Sequence, residues 1–208
     1  DEVLPVYQTE SLAERGTTAV PQAVSADFFF GKRDRAGRPQ APYPPGGAAL
    51  AVPWYLAGKH LLLRLPGVSP RARTMVTDFA IVASSASFVA GATALAFVLF
   101  VHLGLTPRQG LLAALGLTFG TPLFAYSAWY FSEPLTVVVL MVAVVALFTR
   151  DLDAVPLRHA VVAGVARGFL LWIRQPNVTT FPAVLAAMLV GPGDWRRKLP
   201  TVAIVAGI

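Results

Sequence analysis

FAIVASSASFVAGATALAFVLFVHL, residues 79–103, runs for 25 positions without an Asp, Glu, Lys or Arg. As an α-helix it measures about 38 Å, more than the roughly 30 Å hydrocarbon layer of a bilayer. This stretch sets the fold class, and the chain after it agrees. Further apolar runs follow at 110–130, 134–148, 160–173 and 178–190, and a last one, 201–208, is too short to cross. The expectation is an all-α, polytopic transmembrane helical bundle over residues 77–208, with about five complete helices and a truncated sixth.

Composition points the same way. Of 208 residues, 55% are hydrophobic and 13% charged, with a mean hydropathy of +0.61. Ordinary soluble domains hold roughly 45–50% and about 25%. Those proportions argue against a soluble enzyme and against a disordered chain. Charge is unevenly placed. Residues 1–76 carry 9 Lys/Arg and 6 Asp/Glu, whereas the longer remainder carries 8 and 5. The absence of cysteine excludes disulfides, thiolate metal sites and a Cys nucleophile. His60, His102 and His159 are widely spaced, which argues against a histidine metal cluster. The net charge of +6 does not indicate nucleic acid, because the basic residues gather at the ends of apolar runs.

Residues 1–76 read as a polar, loop-rich module. Pro5 and Gly16 bracket a short helix over 6–15. GKRDRAGRPQAPYPPGG, residues 31–47, is turn chemistry with a basic run of Lys32, Arg33, Arg35 and Arg38 around Asp34. That run reads as a solvated face or as a contact for anionic lipid or phosphate. Residues 48–65 are apolar but hold Pro53, Lys59, His60 and Arg64, so they read as an interfacial helix lying on the membrane, with Trp54 and Tyr55 at headgroup level. Topology follows from the loops. Arg108, Arg150, Arg158, Arg196, Arg197 and Lys198 fall on one side and only Arg174 on the other. The positive-inside bias makes the first side cytoplasmic and residues 1–76 extracytoplasmic. The chain reads as an internal piece of a longer protein, since it opens without Met and stops inside an apolar run.

Besides the basic loop, three places carry candidate chemistry. Asp1 and Glu2 are adjacent carboxylates, read either as solvated surface or as a general base for an acceptor hydroxyl. Glu133, in Ser132-Glu133-Pro134, starts a helix well; beside Tyr126, Trp129 and Tyr130 it also suits an outer sugar site. Arg167 and Arg174, seven residues apart, share a helix face within about 20° and read as snorkelling anchors or, for Arg174, as a phosphate ligand.

In order along the chain, these pieces resemble C-type membrane glycosyltransferases, nearest the protein O-mannosyltransferase and lipid A aminoarabinose transferase branch. The resemblance rests on Asp1-Glu2 with Tyr7 and SLAERG (11–16), on Tyr43-Pro44-Pro45-Gly46 before AALAVPWYLAG, on PLFAYSAWYFSEPL (122–135) and on GFLLWIRQPN (168–177). The lysine that the family places before the prolines is replaced here by Ala41-Pro42. The resemblance implies juxtamembrane helices in an extracytoplasmic first loop and transfer of a sugar from a polyprenyl-phosphate donor to an acceptor on the outer face. It implies Asp1 as catalytic carboxylate with Glu2 beside it, and Tyr43, Tyr126, Glu133 and Arg174 at the substrate. No cofactor is implied, and a divalent metal stays open. The expected partners are the lipid-linked donor, an acceptor of unspecified class and membrane lipids. The competing classes are a transporter or flippase of lipid-linked sugars and a membrane scaffold without catalysis; a transporter would more often show broken helices in two corresponding halves.

Overall fold

A computed structural model describes residues 3–27, 29–63, 67–191 and 193–207. It is mostly helical, with ten α-helices and one two-stranded ladder among the described residues. Packing divides the chain into two compact units: Asp1–Ser87 with Ala125–Ser132, and Phe88–Phe124 with Glu133–Ile208.

The first unit opens with α1, Val3–Arg15. Gly16, at φ +63°, ends it: its N–H donates to the Leu12 carbonyl and that of Thr17 to Ser11. A side chain resists that left-handed turn, which is why the helix stops at the glycine. The short α2, Pro21–Ser25, follows. The basic loop is a hairpin: β1, Lys32–Arg33, pairs antiparallel with β2, Pro39–Gln40. Asp34 and Gly37 make its turn, with Gly37 at φ +77°. The Asp34 carboxylate accepts from the N–H groups of Ala36 and Arg38 and from Arg38 Nε at 2.8 Å. The Arg38 and Ala36 amides, with the Arg38 guanidinium, hold that carboxyl below the usual Asp range. A lowered carboxyl supports the fold above its unfolded value, so this support is present at neutral pH. It is lost only as pH falls below about 3.9 and through the depressed folded value.

Helix α3, Gly46–Leu63, buries Ala48, Ala51, Tyr55, Gly58 and Leu62, all on one face. The opposite stripe, Leu50, Pro53, Ala57 and Leu61, is exposed. Tyr55 joins Ala51, Ile81 and Tyr130 in the core of this unit rather than standing at the surface beside Trp54. A Cβ on Gly58 would stand 2.7 Å from that of Ala80, so glycine sets how closely α3 meets the start of α4, Pro70–His102. Gly58→Leu is therefore expected to cost about 1–3 kcal/mol by overpacking. That lowers Tm by about 2–12 °C. The control is Gly116→Ala, where a Cβ meets nothing within 4 Å. Equal melting temperatures for the two variants, followed by circular dichroism, would contradict this account.

Helix α4 extends nine residues ahead of the apolar run that announces it, because the Ser69 hydroxyl accepts from the Ala72 N–H and Pro70 suits a first helical position. Among the described residues it is the one helix long and apolar enough to cross a membrane. The apolar run at 110–130 is not one helix. Thr106 and Gln109 form a capping box at the start of α5, Pro107–Phe119, which ends at Gly120; α6, Leu123–Tyr126, starts anew. Pro122 lacks an N–H, and its ring keeps Thr121 out of the helical region. At 13 residues α5 is about 20 Å long, short of the hydrocarbon thickness.

The second unit continues with α7, Ser132–Phe148, and α8, Leu157–Ile173, then a 3₁₀ turn, Gln175–Thr179, and α9, Thr180–Val190, and α10, Trp195–Gly207. Helix α8 buries Ala160, Ala163, Gly164 and Ala166 in its first turns and Leu170 and Ile173 near its end, while Val162, Val165 and Trp172 are 46%, 54% and 62% exposed. Over residues 160–166 the small side chains lie inside and the valines outside, the reverse of a water-soluble helix.

Candidate functional site

Two of the residues singled out from sequence meet in the second unit. Glu133 sits in the first turn of α7, where a carboxylate favours the helix dipole. Arg174 is the first residue beyond α8: its N–H still donates to the Leu170 carbonyl, but its backbone is extended, φ −159° and ψ 130°. Pro176, two residues on, prevents the helix from continuing. The shared helix face expected for Arg167 and Arg174 therefore ends at Ile173, and the chain turns Arg174 onto Glu133 in an ion pair. Asn177 fixes this corner. Its Nδ2 donates to the Leu170 carbonyl at 3.0 Å and to Thr136 Oγ1 at 3.2 Å, tying the 3₁₀ turn to both helices. Beneath it Leu135, Leu170 and Ile173 form a buried cluster with Val138 and Phe169.

Half of the Arg174 side chain and a third of the Glu133 side chain remain exposed. The guanidinium is thus held by one carboxylate with donors left over, an arrangement suited to a bidentate oxyanion. Along the same two helices runs an open groove of about 330 Å³ lined only by Val139, Val142, Val161, Val162, Val165, Ala166 and Phe169. Phe169 lies five residues before Arg174, about 8 Å along α8, and Val139 six residues after Glu133, about 9 Å along α7. The charged corner and the apolar groove thus lie on the same two helices.

Arg167 has a different role from Arg174. Its guanidinium stacks on Phe181, 3.8 Å from the ring centroid, and donates to the Val205 carbonyl. It joins α8 to α9 and α10. Lys198 is fully buried and donates from Nζ to the Gly191 carbonyl at the end of α9. Sequence separation of 38 and 7 residues gave no signal of either contact.

The remaining candidates lie in the first unit. Tyr43 is exposed in the turn before α3. Tyr126 is half-buried and meets Phe131 edge-on at 5.3 Å. Asp1 and Glu2 lie outside the described residues. Nearby in sequence, α1 carries a polar seam that the motifs did not announce. Glu14 accepts from Tyr55 OH at 2.8 Å and pairs with Lys59. Lys59 and Tyr55 draw its carboxyl below the usual range, while burial and the carboxylate push the Tyr55 hydroxyl well above its own. Tyr55 therefore stays a proton donor across the working pH range. Gln22 Nε2 donates to Glu10 at 3.0 Å and to Ser11 at 3.2 Å. Buried Thr9 lies 3.3 Å from the Tyr130 hydroxyl, whose pKa burial pushes up to about 12. The spacing of Tyr55 and Lys59, one helical turn apart, is the only local hint of this seam; its partner lies some forty residues away.

Among the described residues no group of three or more His, Asp or Glu stands ready for a metal ion. No protein family, curated protein or solved structure matches the chain.

Proposed function

We propose that this chain carries the first extracytoplasmic loop and following spans of a multi-pass membrane glycosyltransferase of the C type. It moves a sugar from a polyprenyl-phosphate donor to an acceptor at the outer face. The observation that carries this reading is the Glu133–Arg174 ion pair on the same two helices, α7 and α8, that line the all-apolar groove. An amphiphile with a phosphate head and a hydrocarbon tail fits that pair of surfaces. Arg174 takes the phosphate and stabilises it as it departs; Glu133 keeps the guanidinium aimed until the donor arrives, and its carboxylate then faces the sugar hydroxyls. Asp1 acts as general base on the acceptor hydroxyl, with Glu2 orienting it. The exposed large apolar residues of α8 suit lipid contact.

Topology is supported by packing within the first unit. Tyr130, from the 125–132 segment, sits in the core made by Tyr55 and Ile81, as two segments on one side of a membrane must allow. Cysteines at exposed Ala36 and Ala128 should both react with an impermeant reagent added outside, and one at exposed Ala154 should not. In vesicles of phosphatidylcholine alone, protection of Ala36 or Ala128 but not the other would end the model.

Donor binding tests Arg174. Losing a charge-assisted contact costs about 1.5–3 kcal/mol, so Arg174→Ala should weaken affinity about 10–150-fold. Arg174→Lys keeps the charge without the planar fork and should fall between. Unchanged affinity for a polyprenyl-phosphate sugar in Arg174→Ala would reduce the pair to a helix-end tether and favour the scaffold reading.

A further inference from the structure

The hairpin and α3 present two surfaces that the transferase chemistry does not use. Lys32, Arg33, Arg35 and Arg38 are all exposed, and Asp34 is the sole acid between positions 28 and 77. That one carboxylate is already engaged with Arg38 and two backbone amides, and Gln40 Nε2 donates to it at 3.2 Å. Lys32 and Arg35 have no carboxylate partner among the described residues. The hairpin is also held firmly at its base. Val20 N–H donates to the Pro39 carbonyl at 2.8 Å, Thr18 Oγ1 to Gln40 Oε1 at 2.9 Å, and Ala19 bridges to Gln40. Two-residue strands bury too little to justify that scaffolding as a core. What it achieves is a fixed display of cations. Five residues further on, α3 begins, with its outer stripe of Leu50, Pro53, Ala57 and Leu61 left without cover within its unit. A helix apolar on both faces, with only one of them packed against protein, is unstable in water and suited to the headgroup–acyl boundary.

We propose that these two surfaces form one lipid-docking device that is selective for acidic phospholipid. The α3 stripe enters the interface of any bilayer, and the hairpin settles on the headgroups only where they carry net negative charge. The occupant is set by charge: four guanidinium or ammonium groups against one spent carboxylate call for a dense anionic surface, and each contributes more as the surface potential rises. The proposal rests on membrane residence but not on sugar transfer.

The test uses the full-length protein with single cysteines at Ala36, near the hairpin tip, or at Ala57, on the α3 stripe. Each carries an environment-sensitive fluorophore. The protein is reconstituted into vesicles of phosphatidylcholine alone or of phosphatidylcholine mixed with phosphatidylglycerol, and acrylamide is the neutral quencher. The Ala57 label should be shielded in both vesicles. The Ala36 label should be shielded only in the acidic mixture, and exposed again at about 1 M salt, where the Debye length is about 3 Å. Removing two of the exposed charges, Lys32→Gln with Arg35→Gln, should lower the docked-to-undocked ratio by about 30-fold. Equal accessibility of the Ala36 label in the two vesicles would overturn the proposal. So would shielding that resists salt and the double substitution, which would indicate a protein or apolar contact instead. Normal sugar transfer with no acidic-lipid shielding refutes docking alone, and lost transfer with shielding intact leaves it standing.

Discussion

Asp1→Asn should lower turnover by about 10²–10⁴-fold, the usual contribution of a positioned general base, or roughly 3–5 kcal/mol of transition-state stabilisation. The substitution keeps the shape of the side chain and removes its basicity, so expression and donor binding should remain at the level of the unaltered protein. Glu2→Gln should cost less, because an orienting neighbour acts through Asp1. The measurement is transfer from a polyprenyl-phosphate sugar in vesicles, with donor affinity determined in parallel. Full turnover in Asp1→Asn would remove the catalytic assignment and leave a transporter or flippase of lipid-linked sugars as the better reading. A fall in turnover matched by an equal fall in donor affinity would move Asp1 from the acceptor side to the donor side.

The second large effect is structural. Arg167→Met keeps the length and apolar stem of the side chain but removes both things that hold α8 against α9 and α10. The Val205 carbonyl, on a fully buried residue, loses its donor, and Phe181 loses the cation over its face. An unsatisfied buried carbonyl costs about 1–3 kcal/mol and a stacked cation about 0.5–2. A total of about 1.5–5 kcal/mol corresponds to a Tm about 3–20 °C lower. Arg167→Lys retains a donor without the planar stack and should recover part of the loss. Donor affinity should not change in the folded protein, in contrast to Arg174→Ala. A stable Arg167→Met that fails to bind donor would invert the two arginines' roles.

The sequence announced local features well and pairings poorly. Gly16 marked the end of α1 and does adopt the left-handed conformation, whereas the start expected at residue 6 lies three residues late, because α1 begins at Val3 and holds Pro5 in its first turn, where a missing N–H costs nothing. The apolar run at 110–130 misled, because a hydropathy sum ignores order: Gly120-Thr121-Pro122 hardly lowers the average of its apolar neighbours, yet it breaks the helix. The basic loop reads as turn chemistry, and Asp34 and Gly37 do make a regular turn, Asp first and Gly fourth. The two short strands that this turn joins gave no signal, because two residues are too few to show an alternating pattern. Glu133 and Arg174 were each chosen for their own surroundings; that they face one another, 41 residues apart, depends on how α7 and α8 pack. The helical spacing used for the arginines was correct up to Ile173 and failed at the next residue, where Pro176 makes itself felt.

The position of Tyr130 has a consequence in time. Its hydroxyl lies against Thr9, 121 positions earlier, and its ring completes the core around Tyr55. At synthesis rates of about 5–20 residues per second, the ribosome needs about 6–24 s to travel from one to the other. Throughout that interval α1 and α3 exist with a vacancy in their core, and the intervening chain, including all of α4 and α5, must be placed before the vacancy can close. Loop-closure entropy for such a span grows only slowly with length, so the delay is set by delivery of the segment rather than by the search for it. The first unit thus begins to fold before residues 88–124 are made and completes its core only after them.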